Sequence, residues 1–167
     1  MTTLQEIHLA IDARVHGIRE NRPDWPCSKG CDTCCRSLAD IPRLTETEWV
    51  LLKEGLTALP AGRLAEITRN TAALSEQKTR PVVCPMLDQA TGACPVYMHR
   101  PVACRSYGFY VQREKGMYCS DIEARVADGS LADVVWGNHD AVDQQLSGQG
   151  EARALTDWFW RWGNEGQ

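Results

Sequence analysis

The chain has 167 residues, of which 43% are hydrophobic, and a formal net charge of −4 at pH 7. A chain of this length can bury about two thirds of its unfolded surface in one domain, so residues 1–167 are predicted to form a single domain. The basic residues are scattered among acidic ones, so we expect no nucleic-acid binding. No apolar run approaches the ~20 residues that cross a bilayer, so we expect no membrane association.

Three amphipathic helices are predicted before residue 81. Apolar residues at steps of three and four indicate a flanking helix over residues 2–20. Thr45 and Glu48 have the spacing of a capping box, so a second helix should begin near Thr45. Apolar positions between residues 64 and 74 predict a third helix, which should end before Pro81 because a residue preceding proline avoids helical geometry.

Residues 81–120 contain proline or glycine every few positions, so regular structure there should be short. Turn-forming residues from Asp88 to Gly92 predict a hairpin that brings Cys84 and Cys94 toward each other. A proline follows each of these cysteines and restricts it to an extended backbone. Pro101 suits the start of a short helix that contains Cys104.

The second flanking region, residues 131–162, is predicted to be helical again. One helix should cover residues 131–146 and a second should cover residues 154–162, with glycines at 148 and 150 between them. The aromatic residues in the last segment have helical spacing, which is typical of core packing. The fold class predicted is therefore mainly α, with about five helices around an irregular cysteine-rich segment that contains a short hairpin.

The eight cysteines are the main functional signal in the sequence. Four lie within nine residues and four follow between residues 84 and 119: Cys27, Cys31, Cys34, Cys35, Cys84, Cys94, Cys104 and Cys119. The N-terminal residues lack the basic and apolar regions of a secretory signal, so we expect a cytoplasmic protein with reduced thiols. In that compartment, clustered thiols favour metal binding over disulfide bonds.

The type of donor narrows the choice of metal. Thiolates bind zinc, iron and iron–sulfur clusters in preference to the hard cations that bind oxygen. Structural zinc usually shows two closely spaced ligand pairs, but this sequence has one dense group, with three thiols at Cys27, Cys31 and Cys34. That spacing can hold three corners of a cubane, so an iron–sulfur cluster or iron is the first prediction, with zinc as the alternative.

The cysteine groups, read together with Tyr97, Arg100, Pro101 and Arg105, resemble the YkgJ-type cysteine cluster family. The resemblance covers about residues 25–120 and implies a domain that chelates zinc or iron. A related cysteine segment occurs in flagellin lysine methylases, so the resemblance also permits an association with a methyltransferase-like system.

This resemblance implies that all eight cysteines are candidate ligands. Because one tetrahedral ion or one cubane uses four of them, two metal centres are a further hypothesis. If the backbone is extended at Cys34 and Cys35, their side chains should point in different directions. Arg100 and Arg105 could offset the negative charge of thiolates. His99 is a weaker ligand candidate.

Three functional hypotheses follow from the sequence. The first is a protein that holds iron or an iron–sulfur cluster, with a redox or accessory role. The second is a zinc-bound structural or interaction module, for which an unidentified protein partner is expected. The third is a metal-dependent enzyme, or an accessory to a methyltransferase-like system. The sequence contains no phosphate loop, nucleophile elbow or zinc-protease motif, so an enzyme is the least expected of the three.

Overall fold

A computed structural model describes residues 1–165, and its fold is mainly α. Within these residues, no helix combines the length and the apolar character that crossing a membrane requires. The α-helices are α1 (Leu4–Glu20), α2 (Thr33–Arg36), α3 (Glu46–Thr57), α4 (Ala61–Glu76), α5 (Val102–Ser106), α6 (Ser120–Ala127), α7 (His139–Leu146) and α8 (Leu155–Asn164). The strands are β1 (Arg43–Leu44), β2 (Tyr110–Gln112), β3 (Lys115–Met117), β4 (Gly137–Asn138) and β5 (Arg153–Ala154).

The chain divides into two compact units by its internal contacts. Unit 1 comprises residues 1–29 and 101–149, and unit 2 comprises residues 30–100 together with the described residues from 150 onward. The cysteine-rich region therefore contributes to both units. The prediction of one domain stays a prediction.

Unit 1 packs α1 and α5 beside a three-stranded sheet in the order β3-β2-β4. α1 begins where predicted, because the side chain of Thr3 accepts from the Glu6 amide while Glu6 accepts from the Thr3 amide. Its apolar stripe lies in a buried cluster with Trp25, whose ring stacks on Phe109 at 5.7 Å between centroids. The predicted N-terminal helix is confirmed.

Unit 2 packs α4 against α8, and its two short strands pair as β1-β5. α3 begins after Thr45, and the Thr45 amide donates to the Glu48 carboxylate at 2.8 Å, as the capping box predicts. Trp49 of α3 stacks on Trp158 of α8 at 5.8 Å between centroids. The predicted second and third helices and the packing role of the C-terminal aromatic residues are confirmed, although Trp160 is 70% exposed.

The predicted helix over residues 131–146 is wrong in its first half. Residues 131–136 are not helical, β4 follows them, and helix α7 begins only at His139. Asn138 fixes this start because its side chain accepts from the Asp140 and Ala141 amides. Leu131, Val134 and Trp136 of this loop pack in the unit 1 cluster while Val135 is exposed, so helical spacing alone did not reveal a loop. The short helices α2 and α6 were not predicted either.

Candidate metal centre

Four cysteines of unit 2 come together, and we call Cys34, Cys35, Cys84 and Cys94 the four-thiol group. The Cys35 thiol lies close enough to the thiols of Cys34 and Cys84 for each of them to shift its pKa. The fourth, Cys94, is close enough to Cys34 and Cys35 for their charges to interact. All four side chains are half-buried. The fold therefore gathers soft sulfur donors from two chain segments that are about 50 residues apart in sequence.

Helix α2 positions the first two thiols of the group. The Arg36 amide donates to the Asp32 carbonyl at 3.0 Å, which closes a single helical turn around Cys34 and Cys35. The extended backbone considered for this pair in the sequence is therefore wrong. In a helical turn, successive side chains are separated by ~100°, so adjacent cysteines can share one side of the backbone. An alternating strand would place them on opposite faces.

Backbone hydrogen bonds hold the second segment against the first. Leu38 and Val82 exchange two hydrogen bonds, of 2.8 and 2.9 Å, in an isolated antiparallel bridge. Two residues further on, the Cys84 amide donates to the Cys35 carbonyl at 2.7 Å. These bonds satisfy backbone groups that folding removes from water, and they fix the register of Cys84 beside Cys35.

Two Cys-Pro turns, joined by a hairpin, present the remaining thiols. In the first turn the Leu87 amide donates to the Cys84 carbonyl at 3.1 Å, and in the second the Tyr97 amide donates to the Cys94 carbonyl at 3.2 Å. Asp88 pairs with Ala93 between them. The hairpin predicted from the sequence is confirmed. Each proline removes an amide donor directly after a cysteine and stiffens the turn.

An arginine links helix α2 to this hairpin. The Arg36 Nε atom donates to Asp32 Oδ2 at 2.6 Å, and its Nη2 atom donates to the Gln89 carbonyl at 3.0 Å. Gly92 lies so close to Asp32 that an added Cβ would come within 3.0 Å of the same carboxylate oxygen. The sequence analysis missed Asp32 and Arg36, although their i,i+4 spacing on a helix was a usable signal.

Without a bound metal, the surroundings of the four-thiol group favour the protonated, neutral form of the thiols. The hydrogen bond with Cys35 and burial raise the pKa of Cys34, and burial raises the pKa of Cys94. The hydrogen bond with Cys34 is the largest influence on Cys35 and lowers its pKa. The bond with Cys84, burial and the charges of neighbouring thiols together outweigh it and raise that pKa to about 12.

Two groups lower the pKa of Cys94 and so oppose the effect of burial. The Val96 amide donates to the Cys94 sulfur, and the positive charge of Arg100 also lowers the pKa of this thiol. Arg100 is held by its own contacts, since its Nε atom donates to the Tyr97 carbonyl at 2.9 Å and its guanidinium lies 3.6 Å from the Tyr97 ring centroid. These groups stabilise a thiolate, which is the form that binds metal.

The other four predicted ligands lie elsewhere. Cys31 belongs to unit 2 but is exposed, with its sulfur 3.7 Å from the Thr33 hydroxyl. Cys27, Cys104 and Cys119 belong to unit 1. The weaker candidate His99 packs against α3, where an added Cβ on Gly55 would meet its ring at 2.7 Å.

The cysteine pattern has a counterpart among known families. A family model described as "Putative zinc- or iron-chelating domain", CxxCxxCC, matches residues 26–123. The chain belongs to this family. No curated protein and no solved structure matches the chain. The match agrees with the resemblance seen in the sequence and assigns zinc or iron chelation to the CxxCxxCC domain.

The four-thiol group fits the chelating chemistry of the CxxCxxCC domain in donor type and number. Four sulfurs are a complete tetrahedral ligand set for zinc or iron. Across residues 1–165, however, no three His, Cys, Asp or Glu side chains already converge as the ligands of one ion. Binding an ion therefore requires these neighbouring thiols to lose their protons and turn their sulfurs inward, while the backbone positions above can stay.

Proposed function

We propose that this protein binds one zinc or iron ion through Cys34, Cys35, Cys84 and Cys94. The observation that supports this most is the backbone pairing that places Cys84 beside Cys35, with the thiols of Cys34 and Cys94 close enough to interact with them. Four soft donors at one place select a soft or borderline cation over magnesium or calcium.

The closeness of the thiols favours a single ion over a cubane cluster. Ligand sulfurs ~2.3 Å from one tetrahedral ion lie ~3.8 Å apart, a separation that thiols already close enough to shift one another's pKa can reach by side-chain rotation. In a cubane each cysteine binds a different iron, which holds the cysteine sulfurs further apart. The iron–sulfur cluster favoured by the spacing of Cys27, Cys31 and Cys34 is therefore our second candidate.

The chain's own residues have distinct roles at this centre. Four thiolates around a divalent ion leave a net charge of about −2, which the Arg100 guanidinium and the Val96 amide offset beside Cys94. Four protein ligands also leave no free coordination position. The centre therefore stabilises unit 2 or, with iron, transfers an electron, and it does not activate a substrate.

Metal analysis with a visible spectrum tests this proposal on protein purified without oxygen. We expect zinc or iron without acid-labile sulfide, and loss of metal in the Cys34→Ser/Cys84→Ser variant. Ser37→Ala/Thr91→Ala is the matched control, with two polar groups changed in the same segments, and should keep its metal. Iron with an equal amount of sulfide would replace the single ion by a cluster. Unchanged metal content in the double cysteine variant would overturn the ligand assignment.

A further inference from the structure

A groove on the surface of unit 2 lies between α3 and α8. Its volume is about 820 Å³, which is within the ~300–1,000 Å³ of ligand-binding clefts. The side chains that determine its chemistry are Glu46, Val50 and Glu54 on α3 and Trp160, Arg161 and Glu165 on α8. We call it the α3–α8 groove. No cysteine lines it, so it is separate from the four-thiol group.

The two helices that form the groove run in the same direction. Trp49 of α3 stacks on Trp158 of α8, with ring centroids 5.8 Å apart. Further along both helices, the Lys53 Nζ atom lies 2.8 Å from a Glu165 carboxylate oxygen. The C-terminal ends of α3 and α8 therefore lie at the same end of the groove. Unpaired carbonyl groups give each helix end a partial negative charge, which attracts a cation.

Apolar side chains line the groove and are open to solvent. Trp160 is 70% exposed and Val50 is 53% exposed. Single exposed apolar residues are common on protein surfaces, but two that share one groove indicate a surface that another molecule covers. The indoles of Trp49 and Trp158 also line the groove, and Trp158 is fixed because its Nε1 atom donates to the Leu44 carbonyl at 3.0 Å. The apolar part of the groove is therefore already formed.

The charges of the groove favour a positively charged ligand. Lys53 and Glu165 neutralise each other. Among residues 1–165, no ion pair involves Glu46, Glu54 or Arg161, so two carboxylates face one guanidinium. Glu54 lies in the last turn of α3, where no basic residue offsets the negative end of the helix. A cation bound beside Glu54 would offset both negative charges.

The spacing of residues along α3 indicates the kind of molecule that fits. Val50 and Glu54 are one helical turn apart, which is ~6 Å along the helix axis. In an extended peptide, residues two positions apart point to the same face and are separated by ~6.7 Å. Such a peptide can therefore place an apolar side chain at Val50 and a lysine or arginine at Glu54. Its carbonyl groups can accept from the Arg161 guanidinium on the other helix.

We propose that the α3–α8 groove binds an extended segment of a partner protein in which a lysine or arginine stands two positions from an apolar residue. The apolar side chain packs on Val50 and Trp160, and the basic side chain pairs with Glu54. The exposed face of the Trp160 indole also attracts a cation. This inference goes beyond the metal centre proposed above and does not depend on it, because the two share no residue.

Selection from a random heptapeptide library displayed on phage tests the proposal on the full chain. We expect the wild type to enrich sequences with a lysine or arginine two positions from a large apolar residue. Trp160→Ser should not enrich them. Leu9→Ser, at an apolar residue of α1 that is 61% exposed, is the matched control and should enrich them. Absence of this pattern, or equal enrichment by Trp160→Ser, would overturn the proposal.

A fluorescent copy of the enriched peptide then measures affinity by polarisation. Glu54→Gln should weaken binding about fivefold, because an exposed ion pair is screened by solvent. Glu76→Gln, at the exposed last residue of α4, is the matched control and should leave the affinity unchanged. Glu54→Lys should reverse the preference, so that a peptide with glutamate in place of its basic residue binds more tightly than the original. Equal losses in Glu54→Gln and Glu76→Gln, or no reversal in Glu54→Lys, would contradict the pairing with Glu54.

Two further measurements separate a peptide from the other possible occupants. Sedimentation of the wild type should show a monomer, because the net negative charge of the groove disfavours a second copy of the same surface. A dimer that Trp160→Ser dissociates would show instead that a second copy covers the groove. Free arginine amide should compete with the peptide only weakly. Competition as strong as that of the peptide would make the groove a small-molecule site, and either result would replace the proposal.

Discussion

The cysteines of the two units differ in burial and in what surrounds them. In unit 2, four half-buried thiols lie near one another and are positioned by paired backbone segments. In unit 1, Cys27 and Cys119 pack against a buried hydrophobic cluster, and Cys104 is exposed. Burial and thiol number therefore favour unit 2 as the place of a closed centre, suited to stability or electron transfer.

One sequence motif also need not lie within one compact unit. The dense group that begins at Cys27 is divided after Lys29, so Cys27 belongs to unit 1 and the next three cysteines belong to unit 2. Cysteines that are close in the sequence are able to bring their thiols together. Packing of the distant segments around residues 84–94 and 104–119 decides which of them do.

The largest effect is expected at Cys35, the central member of the four-thiol group. Structural zinc contributes ~10–16 kcal/mol to small metal domains, so one ligand of four accounts for about 3 kcal/mol, or roughly a hundredfold in affinity. We expect Cys35→Ser to lose metal to a competing chelator at roughly a hundredfold lower chelator concentration. The measurement uses the Cys27→Ser/Cys104→Ser/Cys119→Ser background, in which the four-thiol group remains.

Cys31→Ser in the same background is the matched control, because it also removes one thiol of unit 2. Cys31 is exposed and its sulfur lies 3.7 Å from the Thr33 hydroxyl, so its replacement should change the affinity by less than threefold. Equal losses in the two variants would mean that the four-thiol group is incomplete without Cys31, as the motif alone implies.

The sequence was sufficient to predict features that depend on neighbours along the chain. The capping box at Thr45, the third helix and the hairpin between Cys84 and Cys94 are all local patterns, and all are confirmed. It was not sufficient where contacts between segments far apart in the sequence determine the structure. The helical spacing of apolar residues over positions 131–136 belongs to a loop and not to a helix. The neighbours of Cys35 depend on a bridge between Leu38 and Val82, which no spacing of residues in the sequence predicts.

A smaller effect is expected at Gly108, which tests how tightly unit 1 holds Cys27. We expect Gly108→Ala to lower the free energy of unfolding by about 3 kcal/mol, because it combines a positive φ with a Cβ 2.8 Å from a sulfur atom. Urea unfolding of the metal-free protein measures this change.

Gly129→Ala separates the two causes. Gly129 also has a positive φ, of +81°, but an added Cβ would meet nothing within 4 Å. This variant should therefore show the backbone cost alone, about 1 kcal/mol. If Gly108→Ala were no more destabilising than Gly129→Ala, the close approach of Cys27 to the backbone would not be a constraint on unit 1.

The smallest effect is expected at Arg36, which bridges Asp32 and the Gln89 carbonyl beside the four-thiol group. The side chain is partly exposed, so its pair with Asp32 is screened, and we expect Arg36→Ala to lower metal affinity about fivefold, or ~1 kcal/mol. Arg36→Lys should recover only part of the lost metal affinity, since an ammonium lacks the planar guanidinium that makes both contacts together.

Arg69→Ala, at an exposed position of α4, is the control. Chelator competition reports the affinity, and urea unfolding of metal-free protein reports stability. A loss of stability with unchanged affinity would show that Arg36 supports only its own helix, and the backbone pairs of Leu38 and Cys35 would then be sufficient to position the thiols.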